Sequence, residues 1–146
     1  MTNSPVVAAG PGSAADAYGH GLVGLRTVEV RPGHAVVALD VAPEHLNHVG
    51  IAHGGAIFSL ADQAVAVAAN QRGRTAVLSA ATIHLVRPVR GGARLVATAE
   101  EGHRGRRLSL YTVRVTDSGE LVATVTGQTA TVADDSDGTT GTPANP

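Results

Sequence analysis

Residues 47–70 read NHVGIAHGGAIFSLADQAVAVAAN. From Gly54 onward this stretch lacks proline and is rich in alanine. That predicts a helix starting at Gly54 or Gly55 and ending near Asn70 or Gln71, with Arg72-Gly73 as its stop. Between Ala56 and Ala69 only Ser59, Asp62 and Gln63 are polar. A helix apolar nearly all round is buried on most of its faces. Its neighbours in sequence say what buries it. Residues 22–31 and 34–41 are β-branched with partial alternation, punctuated by Arg31-Pro32-Gly33. Downstream, 75–87, 92–102, 106–117 and 120–132 are β-rich, with turns at Pro88–Gly92, Gly102–Gly105 and Asp117-Ser118-Gly119. Two strands, one helix and four strands with short connections make an α+β chain with an antiparallel sheet. The economical arrangement curls that sheet around the single helix, whose alanines permit close approach.

The rest of the composition narrows the function. The chain has 146 residues, which suits one domain. The expected division is a flexible arm over 1–13, a folded domain over 14–132 and a disordered tail over 133–146, because both ends hold little to bury. The start, MTNSPVVAAGPGS, has neither a basic beginning nor a long apolar run, so a cytoplasmic location is expected. With 12 acids against 11 bases, all of them Arg, the formal charge is −1, unlike the basic stripe of a nucleic-acid binder. There is no Cys, which excludes disulfides, thiolate metal sites and a Cys nucleophile. The three aromatics, Tyr18, Phe58 and Tyr111, are too few for a base-stacking platform. The longest apolar stretch includes Asp62 and falls short of the roughly 20 residues that cross a bilayer.

Chemistry concentrates in the helix and its approach. Asp62 lies amid apolar residues, where burial would push a carboxyl toward its neutral form. The plainer reading is a carboxylate on the one wet stripe, beside Ser59 and Gln63, or paired with an Arg. Gly54-Gly55 opens the helix, where unpaired amides form a positive site for a carbonyl oxygen gaining charge; a simple turn would use the same glycines. His53 could cap, orient or polarise, or merely hydrogen-bond within the fold. Asn47 could be a turn residue.

Taken as one pattern, Asn47-x-x-Gly50-x-x-His53-Gly54-Gly55 followed by Leu60-Ala61-Asp62 resembles the hotdog-fold acyl-CoA thioesterases of the PaaI type. The likeness extends over about residues 20–132, through Thr82-Ile83, the Arg87-Pro88 turn and His103-x-Gly105-Arg106. It implies a hotdog fold, a long central helix wrapped by antiparallel sheet, and hydrolysis of an aryl- or medium-chain acyl-CoA to acid and CoA. By that resemblance Asp62 is the catalytic carboxylate, as general base on water or as nucleophile. The Gly54 amide holds the thioester oxygen and Gly55 shapes the turn. His53 and Asn47 position the thioester or the water, and Ser79 assists the water. Phe58 lies along the acyl pocket. Arg104, Arg106 and Arg107 meet the CoA phosphates, for which guanidinium forks are suited; an ordinary solvated hairpin turn would also account for them. A thioester is already activated, so no metal and no cofactor are expected beyond the CoA carried by the substrate.

Gly54 and Asp62 are eight residues apart, about 12 Å along a helix. An oxyanion donor and a base acting on one carbonyl must lie closer than that. The expectation is therefore a homodimer or homotetramer, with Asn47, His53 and Gly54 from one subunit and Asp62 from its neighbour. Two other readings remain open: a hotdog protein that binds acyl-CoA without chemistry, and a thioesterase of the hydroxybenzoyl- or dihydroxynaphthoyl-CoA type.

Overall fold

The computed structural model describes residues 16–134. The expected arm over 1–13 and most of the expected tail, from 135 on, lie outside the described residues. One helix, α1 (Gly54–Ala69), lies across a six-stranded antiparallel sheet of β1 (Arg26–Arg31), β2 (His34–Asp40), β3 (Arg74–Leu85), β4 (Arg94–Arg104), β5 (Leu108–Asp117) and β6 (Glu120–Asp134), ordered β1-β2-β4-β5-β6-β3. This is the α+β hotdog arrangement.

Alternation along the strands builds the core. Ala35, Val37 and Leu39 of β2, Leu95, Ala97 and Ala99 of β4, Tyr111, Val113 and Val115 of β5, and Ala123 and Val125 of β6 are all buried. Each set follows the two-residue period that turns alternate side chains to one face. Against them α1 places Ile57, Leu60, Ala61, Ala64, Val65 and Ala68. Small side chains bring the layers close, and at Gly127 the limit is reached. A Cβ there would stand 3.1 Å from Leu78 Cδ1 and 3.8 Å from Val65 Cγ2. Tyr111 is the aromatic of this core; its hydroxyl donates to Glu101, which also accepts from Arg72 at 2.7 Å. Burial and the Glu101 contact push the Tyr111 phenol up to about 12.

Several strand boundaries differ from the sequence expectation by two residues or more. The first strand begins at Arg26 rather than at residue 22, because Ala17–Val23 forms a π-helical turn. Asp16 caps that turn by accepting from the Gly19 amide, and Gly24, at φ +84°, ends it. β4 runs on to Arg104, past the turn expected at Gly102–Gly105, because a register shift between Glu101 and His103 absorbs Gly102 as a bulge. The tight turn is therefore Gly105–Arg107, and a Cβ at Gly105 would collide with the Leu108 carbonyl at 2.1 Å. β6 continues to Asp134, two residues beyond the strand stretch read from sequence, as Ala133 pairs with Thr75 and Asp134 with Arg74.

The fold leaves one long edge. β3 is terminal in the sheet and 12 residues long, with Val77 and Leu85 exposed. No helix among the described residues is long and apolar enough to cross a membrane.

Candidate active site

The approach to α1 is a loop tied down by its own backbone. Asn47 N donates to Ile51 O, Gly50 N to Asn47 O, Ala52 N to Val89 O and His53 N to His45 O. Gly50, at φ +83°, supplies the left-handed residue of the turn. Asn47 is both a turn residue and something more. Its Oδ1 accepts from the amides of Val49 and Ile51, so the loop consumes the oxygen and leaves the Nδ2 amide group as a fixed donor.

His53 is the N-cap of α1. Its Nδ1 accepts from Gly55 N at 2.9 Å. An imidazole that accepts at Nδ1 carries its proton on Nε2, so the outward nitrogen is a donor. The Ala56 amide bonds the His53 carbonyl at 2.9 Å. The first-turn amides are thus distributed: Gly55 to the cap, Ala56 to the backbone, and Gly54 to no partner among the described residues. The free amide lies at the positive end of a 16-residue helix. Gly54 itself is packed: a Cβ there would meet Leu85 Cδ1 at 3.1 Å. Three donors, Asn47 Nδ2, His53 Nε2 and Gly54 N, belong to one short stretch of chain.

Along the helix, Gly55, Phe58, Asp62, Ala66 and Ala69 share a face by their spacing, and each is half-buried or exposed. The sheet covers the opposite face. Asp62 carries a raised pKa, first because burial penalises its charge and second because Asp16 repels it. It has no ion pair among the described residues, so the Arg-paired reading of this carboxylate is set aside.

The polar neighbours of Asp62 are held by the π-helical turn, of which only Leu22 and Val23 fall within the stretch expected to form the first strand. Tyr18 Oη and Ser59 Oγ are 2.8 Å apart, Ser59 Oγ donates to Gly55 O, and Gln63 Nε2 donates to Asp16 Oδ2 at 2.8 Å. The link of Asp16 and Tyr18 to the helix was not legible in the sequence, because nothing local ties them to residues more than 40 positions away. The Gly-rich stretch around Gly19, Gly21 and Gly24 was the available signal of a turn.

Other candidate residues are placed elsewhere. Ser79 is exposed at the β3 bulge. Its hydroxyl donates to Gln128 O and accepts from Gln128 Nε2, so it is not bonded to Asp62. The arginine turn is farther still. Arg74, at the start of β3, donates to the carbonyls of Gly105 and Arg106, whereas Leu85, at its end, packs on Gly54. The two ends are separated by the whole of β3, 12 residues or roughly 35 Å of strand. Within one chain, then, Arg104, Arg106 and Arg107 are not brought to Gly54. The Arg106 and Arg107 side chains line a groove of about 200 Å³ with Thr131, Val132 and Asp134. A larger groove, about 470 Å³, lies over Thr82, Leu110, Thr112, Thr126 and Gln128 and contains none of Asp62, His53 and Gly54. Among the described residues no three His, Asp or Glu side chains are grouped to hold a metal ion.

These features recur in known proteins. The sequence profile of the thioesterase superfamily matches residues 49–124, which contain the cap, the helix and most of the sheet. The acyl-coenzyme A thioesterase PaaI of Escherichia coli is 40% identical over 93 residues, 64% of this chain and 66% of that protein. The solved structure of E. coli PaaI, from the phenylacetic acid degradation operon, superimposes with a TM-score of 0.76 at 34% identity, covering 79% of this chain and 84% of that one. A Streptococcus mutans protein solved with bound acetyl CoA superimposes with a TM-score of 0.72 at 29% identity, over 75% of this chain and 90% of its own. The chain belongs to the thioesterase superfamily, as a hotdog-fold member of the PaaI type.

Proposed function

We propose that the protein hydrolyses acyl-CoA thioesters, aryl or medium-chain, to the free acid and CoA, in sites built across two copies of the chain. The observation that carries the reading is the Gly54 amide, left unpaired by the His53 cap at the start of the helix that bears Asp62. The thioester oxygen accepts from Gly54 N, with His53 Nε2 and Asn47 Nδ2 as further donors. Asp62, kept basic by burial and by Asp16, takes a proton from water as the water oxygen adds to the carbonyl carbon. Negative charge moves onto the carbonyl oxygen, where fixed donors stabilise it best. The intermediate collapses, the C–S bond breaks, and the CoA thiolate leaves and takes up a proton. If Asp62 instead attacks directly, a mixed anhydride forms and water cleaves it. Rapid-quench trapping with hydroxylamine during turnover separates the routes, because only the nucleophilic route places an acyl group on Asp62, which the trap converts to a hydroxamate there.

Two features support the second copy. Gly54 and Asp62 are about 12 Å apart along one helix. The β3 edge is long, open and partly apolar, the kind of edge that pairs with another strand. Antiparallel pairing of β3 with its copy sets the Arg74 end of one chain beside the Leu85 end of the other. That would carry the partner's arginine turn toward Gly54, where the CoA phosphates need it. The related hotdog proteins crystallised with acetyl CoA and with coenzyme A support the ligand class.

The test is a panel of benzoyl-, phenylacetyl- and octanoyl-CoA, with released thiol measured for wild type and Asp62→Asn. Thiol release by wild type and its loss in a folded Asp62→Asn protein is the expected result. No release from any of the three would overturn the reading.

A further inference from the structure

We propose that Asp16 is a positioning residue for Asp62: a second carboxylate, fixed beside the reactive one by Gly19 and Gln63. The proposal rests on the reading of Asp62 as the reacting carboxylate. Asp16 lies 46 positions earlier in the chain, and the π-helical turn brings it to α1. Both its oxygens are held: Oδ1 accepts from Gly19 N at 2.9 Å and Oδ2 from Gln63 Nε2 at 2.8 Å. The fit leaves no slack, since a Cβ at Gly19 would lie 2.5 Å from Asp16 Oδ2 and 2.9 Å from Gln63 Oε1. Gln63 is the residue next to Asp62, so its side-chain amide ties the Asp16 charge to the part of α1 that carries the reacting group.

The turn is itself anchored. Leu25 N donates to Gly19 O, Tyr18 bonds Ser59, and the His45 ring bonds Val23 O at 2.7 Å. Two donors hold the Asp16 carboxylate in place, and a negative charge there disfavours a second one nearby. Of the groups packed against this part of α1, Asp16 is the charged one acting on Asp62, and it adds to the effect of burial. Tyr18 is engaged with Ser59, and the strands beneath contribute the apolar core side chains. Asp16 touches no reacting atom. It acts through Asp62, raising that carboxyl's affinity for a proton and so its strength as a general base.

The experiment compares wild type, Asp16→Asn and Gln63→Met in two ways. One is the ¹³C NMR titration of the Asp62 carboxyl, which needs no substrate. The other is kcat/KM against pH with whichever of benzoyl-CoA and octanoyl-CoA is turned over faster. Asp16→Asn keeps an acceptor for Gly19 N, and the Gln63 amide can rotate to accept from the new amide group. The midpoint of Asp62 is expected to move to lower pH, and the acidic limb of kcat/KM with it. The plateau kcat should fall several-fold, because the base is weaker, while KM stays near its wild-type value. Gln63→Met, which frees Asp16, should shift both readouts the same way and serves if Asp16→Asn does not fold. An unmoved Asp62 midpoint in the folded variants would overturn the proposal. Loss of activity in Asp62→Asn with an unmoved limb in Asp16→Asn would overturn the role of Asp16 alone. Activity surviving in Asp62→Asn would overturn the parent reading and the positioning role together.

Discussion

Gly54 is the residue whose chemistry is most exposed to test. It is the first residue of α1, and its neighbour His53 has an extended backbone (φ −61°, ψ 136°). Both conditions favour proline, which fits the first helical position and wants an extended residue before it. Gly54→Pro therefore deletes one amide proton while keeping the helix start, with Leu85 giving way slightly. The expected loss in kcat is about 100- to 1000-fold, the usual effect of removing one oxyanion donor. Gly54→Ala, which keeps the amide, should lose much less, and steady-state kinetics on both variants checks the difference. Asp62 makes a second residue-scale prediction. Its pKa is raised in the folded protein, so the native state binds more protons than the unfolded one between the ordinary carboxyl value and the raised one. Stability therefore falls as pH rises through that window. Asp62→Asn should be inactive yet melt at a higher temperature than wild type at neutral pH. The advantage should fade at acidic pH, where wild-type Asp62 is protonated, and thermal melts at both pH values check it.

At the scale of elements, what could be read in the sequence was local. The alanine run after Gly54-Gly55 fixes α1 to within a residue or two, because propensity and burial agree there. Asp117-Ser118-Gly119 marks the β5–β6 hairpin, since Ser118 and Gly119 both sit at positive φ. The helix start was legible too: the free Gly54 amide is where the glycine pair suggested it would be. Long-range partners were not legible. The Asp16–Gln63 and Tyr18–Ser59 contacts depend on which face of α1 the N-terminal turn crosses, and no periodicity encodes that. The bulge at Gly102 was read as a turn because a glycine serves either purpose, and the partner strand decides which. The same scale gives a stability prediction. Glu101 is held below the usual carboxylate range: burial works to raise it, but hydrogen bonds from Arg72 and Tyr111 and the nearby Arg charges outweigh it. Tyr111→Phe removes one of those donors and should cost about 1 kcal/mol in denaturant melts. The Glu101 contribution is present above the unfolded carboxyl value and is lost as pH falls through the lower folded value.

At the scale of the whole molecule, the account depends on β3. A single chain carries the proposed oxyanion donors, Asp62 and the arginine turn, but spreads them from one end of the sheet to the other. Two chains joined along β3 would gather them twice. Val77 and Thr82 are exposed on that strand, and replacing both with Arg sets like charges close to one another across the pairing. Sedimentation equilibrium should then show monomers, and thiol release should fall with the dimer population. A variant that stays dimeric would place the interface on another surface. The most direct measurement is subunit complementation. Asp62→Asn chains and Gly54→Pro chains, each inactive alone, are unfolded together, refolded as a mixture and assayed for thiol release. Composite sites predict recovery of about a quarter of wild-type activity, since half the dimers are mixed and each mixed dimer regains one intact site. A mixture as inactive as its two components would contradict the account, and would mean that each site takes its donors and its carboxylate from the same chain.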